Sequence, residues 1–340
     1  MKKMKILIII LSIASFIGAE KVVELPDLVN PKTIAVEGNQ MYITELDSIF
    51  LYSLTDFKLQ KKFGGRGEGP GEFRVNPVRN ITISILPDSI LVDSIGRITY
   101  FSRDGKYLKE MKAPIFGGVI PLGKKYVGYA PIVENGVDYV EINIYKSGQN
   151  NNLEKELAFY KFKYILRGDV KIDPVSLFRP PLAFTYQDRI YLNDGMAGKI
   201  YVFDSSGKQL YVIEAEGDKI ALAGKLKDEY LDAFKTNPTY KDFYERRKQR
   251  LEFSAYLPKI RKCHIVDNKI YALTYNRETA GQGEFLIYDL KGTLLKRAMI
   301  PLQESDIMDL YPYSIKDNKI YQMVESQDTE QWKLHINEIN

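Results

Sequence analysis

The chain has 340 residues, 48 Lys and Arg against 44 Asp and Glu, and a single cysteine. An intramolecular disulfide is therefore excluded, and apolar packing must supply the stability. Three lysines near the N-terminus carry most of the formal charge of +4. Without them 45 basic residues face 44 acidic ones, which gives no electrostatic case for binding nucleic acid or acidic membrane surfaces.

The first predicted element is an export signal over residues 1–19. A lysine-rich start precedes an apolar run from Ile6 to Ile13 and small residues up to Ala19. This layout is typical of a secretory signal peptide, and the apolar run is too short for an ordinary membrane span. We expect a periplasmic or extracellular protein that begins near Glu20 and has no membrane span after cleavage. An uncleaved N-terminal anchor is the alternative.

A sequence pattern recurs six times along the remaining chain: a proline is followed 9 to 13 residues later by an apolar or tyrosine residue in a β-like run. The six pairs are Pro31 and Tyr42, Pro77 and Ile90, Pro114 and Tyr126, Pro181 and Tyr191, Pro258 and Tyr271, and Pro312 and Tyr321. Internal repeats of about 40 to 50 residues indicate stacked supersecondary units. The pattern predicts an all-β fold over residues 20–340, a single six-bladed β-propeller with four-stranded antiparallel blades.

Individual blades differ in how clearly the sequence defines them. Asp104-Gly105 predicts a hairpin turn between the last two strands of blade 2. Blade 3, roughly residues 117–160, carries the polar segment KSGQNNNLEKE where its outer hairpin should turn. Blade 6 has only three predicted strands. The segment EKVVELP near the expected mature N-terminus is β-like, and we expect it to supply the missing strand and close the ring.

One segment, residues 222–256, breaks the β pattern. Apolar residues such as Leu226 and Tyr230 recur at helical spacing. Asn237 as a cap and Pro238 as a first helical residue indicate the start of a second helix. We predict a helical hairpin inserted between blades 4 and 5. It is either a solvated face or a lid over one end of the propeller channel, because inserts in repeat proteins gather on one face.

A glycine-rich loop runs from Gly64 to Phe73 with the sequence GGRGEGPGEF. Its spacing does not match GxGxxG, no Gly-Lys-Ser/Thr follows, and its flanks are predicted strands, so nucleotide binding is not indicated. Glycines allow positive φ angles where the chain crosses from one blade to the next. We therefore predict a structural crossing between blades 1 and 2.

This loop, together with Pro77, resembles NHL-type repeats, whose units run glycine-rich and then reach a proline and a β-strand. More closely, the chain resembles exported six-bladed propeller proteins of Bacteroidetes-like bacteria, which combine one such loop with a helical insert before the fifth blade. The resemblance implies the fold and an exported location, but no reaction is established for that family. Blades 5 and 6 depart from it, with Thr274 and Val324 where an acidic residue is expected.

The acidic residue of those repeats has counterparts in Glu45, Asp93 and Asp194. Hard oxygen ligands could hold calcium without histidine, so these carboxylates leave a calcium site open. The more ordinary interpretation is that each accepts hydrogen bonds from the turn that follows. A zinc site of three histidines is excluded, because the chain has only His264 and His335.

Other catalytic patterns are weak. Cys263 and His264 are neighbours on a predicted strand and face opposite sides, so they cannot form a nucleophile and base pair, and Cys263 is expected in the core. No GxSxG sequence is present. Paired carboxylates for glycoside hydrolysis remain open, because the partners could come from any two blades.

Basic residues stand before three predicted inner strands: Arg79, Arg179 and Arg261. They could line a channel mouth that binds an anionic or polar ligand, or each could pair with a local carboxylate or carbonyl. The leading hypothesis is an exported, monomeric, non-catalytic binding protein without a cofactor, whose partner is a small polar ligand or an envelope protein. The alternative is an enzyme, either a calcium-assisted lyase or lactonase or a carbohydrate-active propeller.

Overall fold

A computed structural model of the chain describes residues 20–75, 80–113, 118–164, 171–276, 281–326 and 328–339. The predicted signal peptide, residues 1–19, lies outside the described residues, as do Pro77, Arg79 and Pro114. The described residues form strands and three α-helices.

The strands follow one another in chain order, and the long connections after β13 and β17 contain the helices. The first twelve are β1 (Lys21–Glu24), β2 (Thr33–Glu37), β3 (Gln40–Thr44), β4 (Ser48–Ser53), β5 (Leu59–Gly64), β6 (Thr82–Ile85), β7 (Ser89–Ser94), β8 (Arg97–Ser102), β9 (Tyr107–Lys112), β10 (Ile120–Leu122), β11 (Lys125–Glu134) and β12 (Val137–Ser147). The others are β13 (Leu153–Lys163), β14 (Leu182–Tyr186), β15 (Arg189–Asp194), β16 (Lys199–Asp204), β17 (Gln209–Glu214), β18 (Lys262–Val266), β19 (Lys269–Leu273), β20 (Gln282–Asp289), β21 (Leu294–Pro301), β22 (Tyr313–Lys316), β23 (Lys319–Glu325) and β24 (Trp332–Glu338).

These strands form six antiparallel four-stranded sheets, which confirms the predicted six-bladed propeller. Blade 1 is β2–β5, blade 2 is β6–β9, blade 3 is β10–β13, blade 4 is β14–β17 and blade 5 is β18–β21. Blade 6 has the order β1-β24-β23-β22, so the N-terminal strand pairs with the last strand of the chain. The prediction that EKVVELP closes the ring is confirmed.

The core lies between the blades. A middle strand such as β4 is buried along its whole length, whereas the outer strand β5 is mostly exposed. Both faces of a middle strand are covered because blades stack face to face, and an apolar cluster fills each junction between neighbouring blades. The repeat residues that follow the prolines all lie buried in second strands: Tyr42, Ile90, Tyr126, Tyr191, Tyr271 and Tyr321.

The prolines have the role that their spacing predicts. Pro31, Pro181, Pro258 and Pro312 each stand one to four residues before the innermost strand of a blade. Blade 3 extends beyond its predicted boundary, because β13 continues to Lys163. Its polar segment does form the outer hairpin, around a short 3₁₀ turn.

The glycine-rich loop is a structural crossing from β5 to β6. Gly64 has φ +85°, and a Cβ atom added there would lie 2.3 Å from the ring of Phe73. That ring is fully buried in the junction between blades 1 and 2. Only glycine permits both the backbone angle and the close approach of the ring.

Three helices lie outside the sheets. α1 (Pro174–Phe178) lies between β13 and β14, and α2 (Gly224–Thr236) and α3 (Pro238–Arg247) lie between β17 and β18. The Asn237 side chain accepts a hydrogen bond from the Thr239 amide at 2.8 Å, and Pro238 is the first residue of α3. The helix start predicted at this position is confirmed, and α1 is an element that the predicted hairpin did not include.

Candidate functional site at the channel mouth

The three helices and the segment from Lys248 to Leu257 form one unit, here called the cap. Its interior is a separate apolar cluster of residues from the helices and from the connection between blades 5 and 6: Val175, Tyr230, Phe234, Tyr240, Leu257 and Met308. The ring of Phe178 lies 4.8 Å from that of Tyr240 and 5.6 Å from that of Phe234. The helices are therefore held by buried aromatic packing.

Hydrogen bonds join the cap to the connection between blades 5 and 6. The side-chain amide of Asn237 donates to Asp306 at 2.5 Å, and the hydroxyl of Tyr240 donates to Asp309 at 2.7 Å. Asp306 in turn accepts from the backbone amides of Met308 and Asp309 at 2.7 and 2.8 Å. The start of α3 thus fixes the backbone at Met308.

The structure brings together two of the three predicted arginines. Arg179 follows α1 and Arg261 precedes β18, and both donate to the carbonyl oxygen of Met308. Each also has an acidic partner: Arg179 lies 3.4 Å from Asp309, and Arg261 pairs with Glu304. Both arginines are therefore paired within the protein, but their acidic partners are distant in sequence rather than local. Arg79 lies outside the described residues.

Lys262 adds a third cation beside the two arginines. Its Nζ lies 4.3 Å from the centre of the Tyr313 ring and, within the described part of the chain, forms neither a hydrogen bond nor an ion pair. Burial, together with the guanidinium groups of Arg179 and Arg261, lowers the pKa of Lys262 to about 8. Lys262 is partly buried, so its ammonium group has lost part of its hydration without gaining an ion pair among the described residues.

These residues line one cavity of about 220 Å³, here called the mouth pocket, at the start of the inner strands β14 and β18. Its polar lining consists of Arg179, Asn193, Arg261, Lys262 and Asp309. Asn193 is 5% exposed, and its side-chain oxygen has no hydrogen-bond partner among the described residues. Buried polar groups normally find a partner within the protein, so this buried oxygen, together with the partly buried ammonium group of Lys262, marks a candidate binding site.

The central cavity lies along the propeller axis and has a volume of about 490 Å³. Residues of the inner strands β6, β10, β14 and β18 line it, among them His264. The ring of His264 lies 4.6 Å from that of Tyr313, and burial and the charge of Lys262 hold its pKa well below the usual value. Cys263 points the other way into the junction between blades 4 and 5, as predicted, and burial raises its pKa to about 12.

The three predicted carboxylates have different surroundings. Glu45 accepts from the backbone amides of Val29 and Asn30 at 2.6 and 2.8 Å, which lie before its blade rather than in the following turn. Asp194 accepts from the Ala197 amide at 3.0 Å, in the turn that follows it. Asp93 is buried in β7. Among the described residues, no three His, Cys, Asp or Glu side chains are grouped so that they could hold a metal ion.

Sequence reasoning missed Lys262 and α1. Asp173 followed by Pro174 is a helix-start pattern, and the Asp173 side chain does accept from the amide of Val175 at 3.1 Å. The basic run of Lys259, Arg261 and Lys262 stood before a predicted inner strand, but nothing in it distinguishes a paired from an unpaired cation. That distinction depends on Asp309 and Glu304, which come from a distant connection.

Comparison with solved structures supports the fold. A candidate exported protein from Bacteroides fragilis matches 95% of each chain with 11% identity and a TM-score of 0.54. A member of the DUF4221 family from Bacteroides vulgatus matches 95% of this chain and 97% of its own, with 11% identity and a TM-score of 0.52. At this identity both likenesses show the fold alone. No protein-family profile and no curated protein matches the sequence.

None of the helices in the described ranges has the length and apolar character that crossing a membrane would require.

Proposed function

We propose that this six-bladed propeller is an exported, non-catalytic binding protein that recognises an anionic ligand in the mouth pocket. The observation that carries the proposal is the environment of Lys262, a partly buried ammonium group that lines the pocket beside two guanidinium groups, with no hydrogen bond or ion pair among the described residues. A desolvated cation without a partner costs free energy. A carboxylate or phosphate oxygen would supply that partner through a charge-assisted hydrogen bond.

The surrounding residues have separate roles in this proposal. Asp309 and Glu304 already neutralise much of the charge of Arg179 and Arg261, so the arginines position the pocket and add a positive field. The side-chain oxygen of Asn193 is an acceptor, so it can bond only to a hydroxyl or N–H group of the ligand and not to the anionic oxygen itself. The cap fixes Met308, whose carbonyl oxygen holds both guanidinium groups, and so it supports the pocket from above the channel.

Binding is tested by isothermal titration of the purified protein with inorganic phosphate and with acetate. The variant Lys262→Met should lose roughly 10-fold or more in affinity, since a hydrogen bond to a charged group contributes about 1.5–3 kcal/mol. Its thermal stability should not fall, because the substitution removes a partly desolvated charge that has no ion pair among the described residues.

The matched control is Lys259→Met. The ammonium group of Lys259 donates to the carbonyl oxygen of Ala215 at 3.3 Å and lines a different cavity. It should bind both anions as the unchanged protein does. Equal affinity in the Lys262 and Lys259 variants, or no binding by the unchanged protein, would contradict the proposal.

Export, the NHL-like repeat type, the monomeric state and the absence of a cofactor are further parts of the proposal. The charge and apolar pattern of residues 1–19 supports export, and one of the fold neighbours is itself described as a candidate exported protein. N-terminal sequencing of the protein from a periplasmic fraction should give a start near Glu20. Titration with Ca²⁺ and with neutral sugars in the same series tests the enzymatic alternatives.

A further inference from the structure

The mouth pocket and the central cavity adjoin each other. Leu182, the first residue of β14, lines both cavities. Strand β18 also contributes to both, with Lys262 in the mouth pocket and His264 in the central cavity. Residues two apart on a strand face the same side and lie about 7 Å apart. One wall therefore continues from the cationic mouth into the channel.

The character of that wall changes along the channel. Below the cations, the central cavity presents an apolar surface from four inner strands: Ile83, Ile85, Ile120, Phe184 and Ile265. Two of its hydroxyl groups are already used within the protein, since Tyr129 accepts from the Ala183 amide and Thr185 donates to the Pro121 carbonyl, both at 2.6 Å. An apolar lining of this kind favours a ligand body without charge.

His264 adds a polar group to this wall, beside the hydroxyl groups of Thr82 and Ser84. Its Nε2 atom is buried and has no hydrogen-bond partner among the described residues. Because the imidazole is neutral, this nitrogen can hydrogen-bond to an uncharged polar group of a ligand without burying a second charge. The channel thus offers one cationic contact, a largely apolar passage and neutral hydrogen-bonding groups, of which the His264 nitrogen is buried without a partner among the described residues.

We propose that the ligand is an amphipathic carboxylate. Its head group pairs with Lys262 in the mouth pocket, its aliphatic body passes Leu182 into the central cavity, and a hydroxyl or carbonyl group meets His264. The inference rests on the proposed function, because it needs the anion to bind at Lys262. It adds that the anionic head group at Lys262 carries an aliphatic body.

The test is a titration series with acetate, butanoate, hexanoate and octanoate, and with octan-1-ol. In the unchanged protein the affinity should rise about fourfold per methylene group that enters the cavity. Octan-1-ol should bind at least 10-fold more weakly than octanoate. The variant Ser84→Phe places a ring in the cavity and should abolish the gain with chain length while leaving acetate binding unchanged, whereas Ser84→Ala should retain the gain.

The outcomes separate the two proposals. If acetate and octanoate bind equally well, the channel inference is wrong and the anion site stands. If octan-1-ol binds as tightly as octanoate, the head-group contact is wrong. If no member of the series and no phosphate binds, the proposed function fails as well. The series in the unchanged protein decides between these outcomes even if Ser84→Phe does not fold.

A second comparison tests His264. The unchanged protein should prefer 6-hydroxyoctanoate over octanoate by about 2- to 10-fold, the range for one neutral hydrogen bond. The variant His264→Phe keeps a ring against Tyr313 and should lose that preference without losing octanoate binding. A preference that survives the substitution would overturn the role of His264.

Discussion

The glycine-rich loop and the mouth pocket differ in whether their polar groups are satisfied within the protein. In the loop, Glu72 accepts from the Gly69 amide at 2.7 Å, and Glu68 accepts from Arg74 at 2.6 Å. In the pocket, Lys262 and the side-chain oxygen of Asn193 have no such partner within the described residues.

A binding site is indicated more by polar groups without a partner than by a conspicuous sequence pattern. The loop is the most conspicuous pattern in the sequence, yet its two glutamates bond within or beside the loop and its Gly64 allows the approach of Phe73. The pocket arises from an inconspicuous run of residues, and it holds a buried oxygen of Asn193 and an ammonium group of Lys262 without partners among the described residues. Natural proteins break the rule of internal satisfaction chiefly at functional or strained sites.

The largest effect is expected in the loop. The variant Gly64→Ala forces a side chain into a left-handed backbone conformation and against the Phe73 ring, so the free energy of unfolding should fall by about 2–4 kcal/mol. Gly38→Ala is the control, because Gly38 has φ +57° but open space around it, and it should cost about 1–2 kcal/mol. Urea denaturation measures both.

The two glycine variants also test whether the loop takes part in anion binding. Anion binding should be unchanged in Gly64→Ala under conditions where the chain remains folded, because the loop and the mouth pocket lie at different blade junctions. A selective loss of phosphate or acetate binding would show that the loop takes part in the site. Equal destabilisation by the two glycine variants would show that contact with the Phe73 ring does not add to the loss of stability in Gly64→Ala.

A smaller effect is expected from pH. Because an anion pairs with the protonated form of Lys262, its affinity should be steady below pH 8 and fall by up to 10-fold per pH unit above it. The Lys262→Met variant should show no such fall in that range. A titration of phosphate between pH 8 and 10 measures both, and parallel curves would contradict the assignment.

Stability should respond to pH in the opposite direction. The folded state holds the pKa of Lys262 at about 8, below its ordinary value of 10.5, so the unfolded chain binds more protons between these two values. Stability relative to the Lys262→Met variant should therefore rise as the pH increases from 8 to 10.5. This gain in stability should be lost again as the pH falls from 10.5 through 8.

The sequence predicts the ring of blades well because its signals are local. Prolines such as Pro181 and Pro312 stand directly before inner strands, and buried residues such as Tyr191 recur at a fixed distance after them. The closing strand β1 was predictable from an unfilled place in blade 6. Each of these signals depends on neighbours along the chain or on a repeat.

The site was predictable only in part because its decisive contacts are distant in sequence. Arg179 and Arg261 could be placed near the channel from their position before inner strands. Whether they are paired depends on Asp309 and Glu304, which lie more than 40 residues beyond either arginine. Lys262 became a candidate only when those pairings left it as the remaining cation.

The smallest predicted effect tests whether the cap supports the pocket. Burial and the nearby Asp309 carboxylate raise the pKa of Tyr240, so its hydroxyl stays protonated and donates to that carboxylate at 2.7 Å. The variant Tyr240→Phe should lower the free energy of unfolding by about 1 kcal/mol, because it removes this single hydrogen bond while retaining the ring contacts with Phe178 and Phe234. Urea denaturation measures the loss.

Tyr244→Phe is the matched control, since Tyr244 lies on the same helix and packs against the cap cluster but forms no hydrogen bond among the described residues. It should leave stability within about 0.5 kcal/mol. Loss of the Tyr240 hydroxyl frees Asp309 to draw Arg179 more strongly, so anion affinity should fall slightly in Tyr240→Phe and not in Tyr244→Phe. An equal response of the two variants would mean that the cap covers the mouth pocket without organising it.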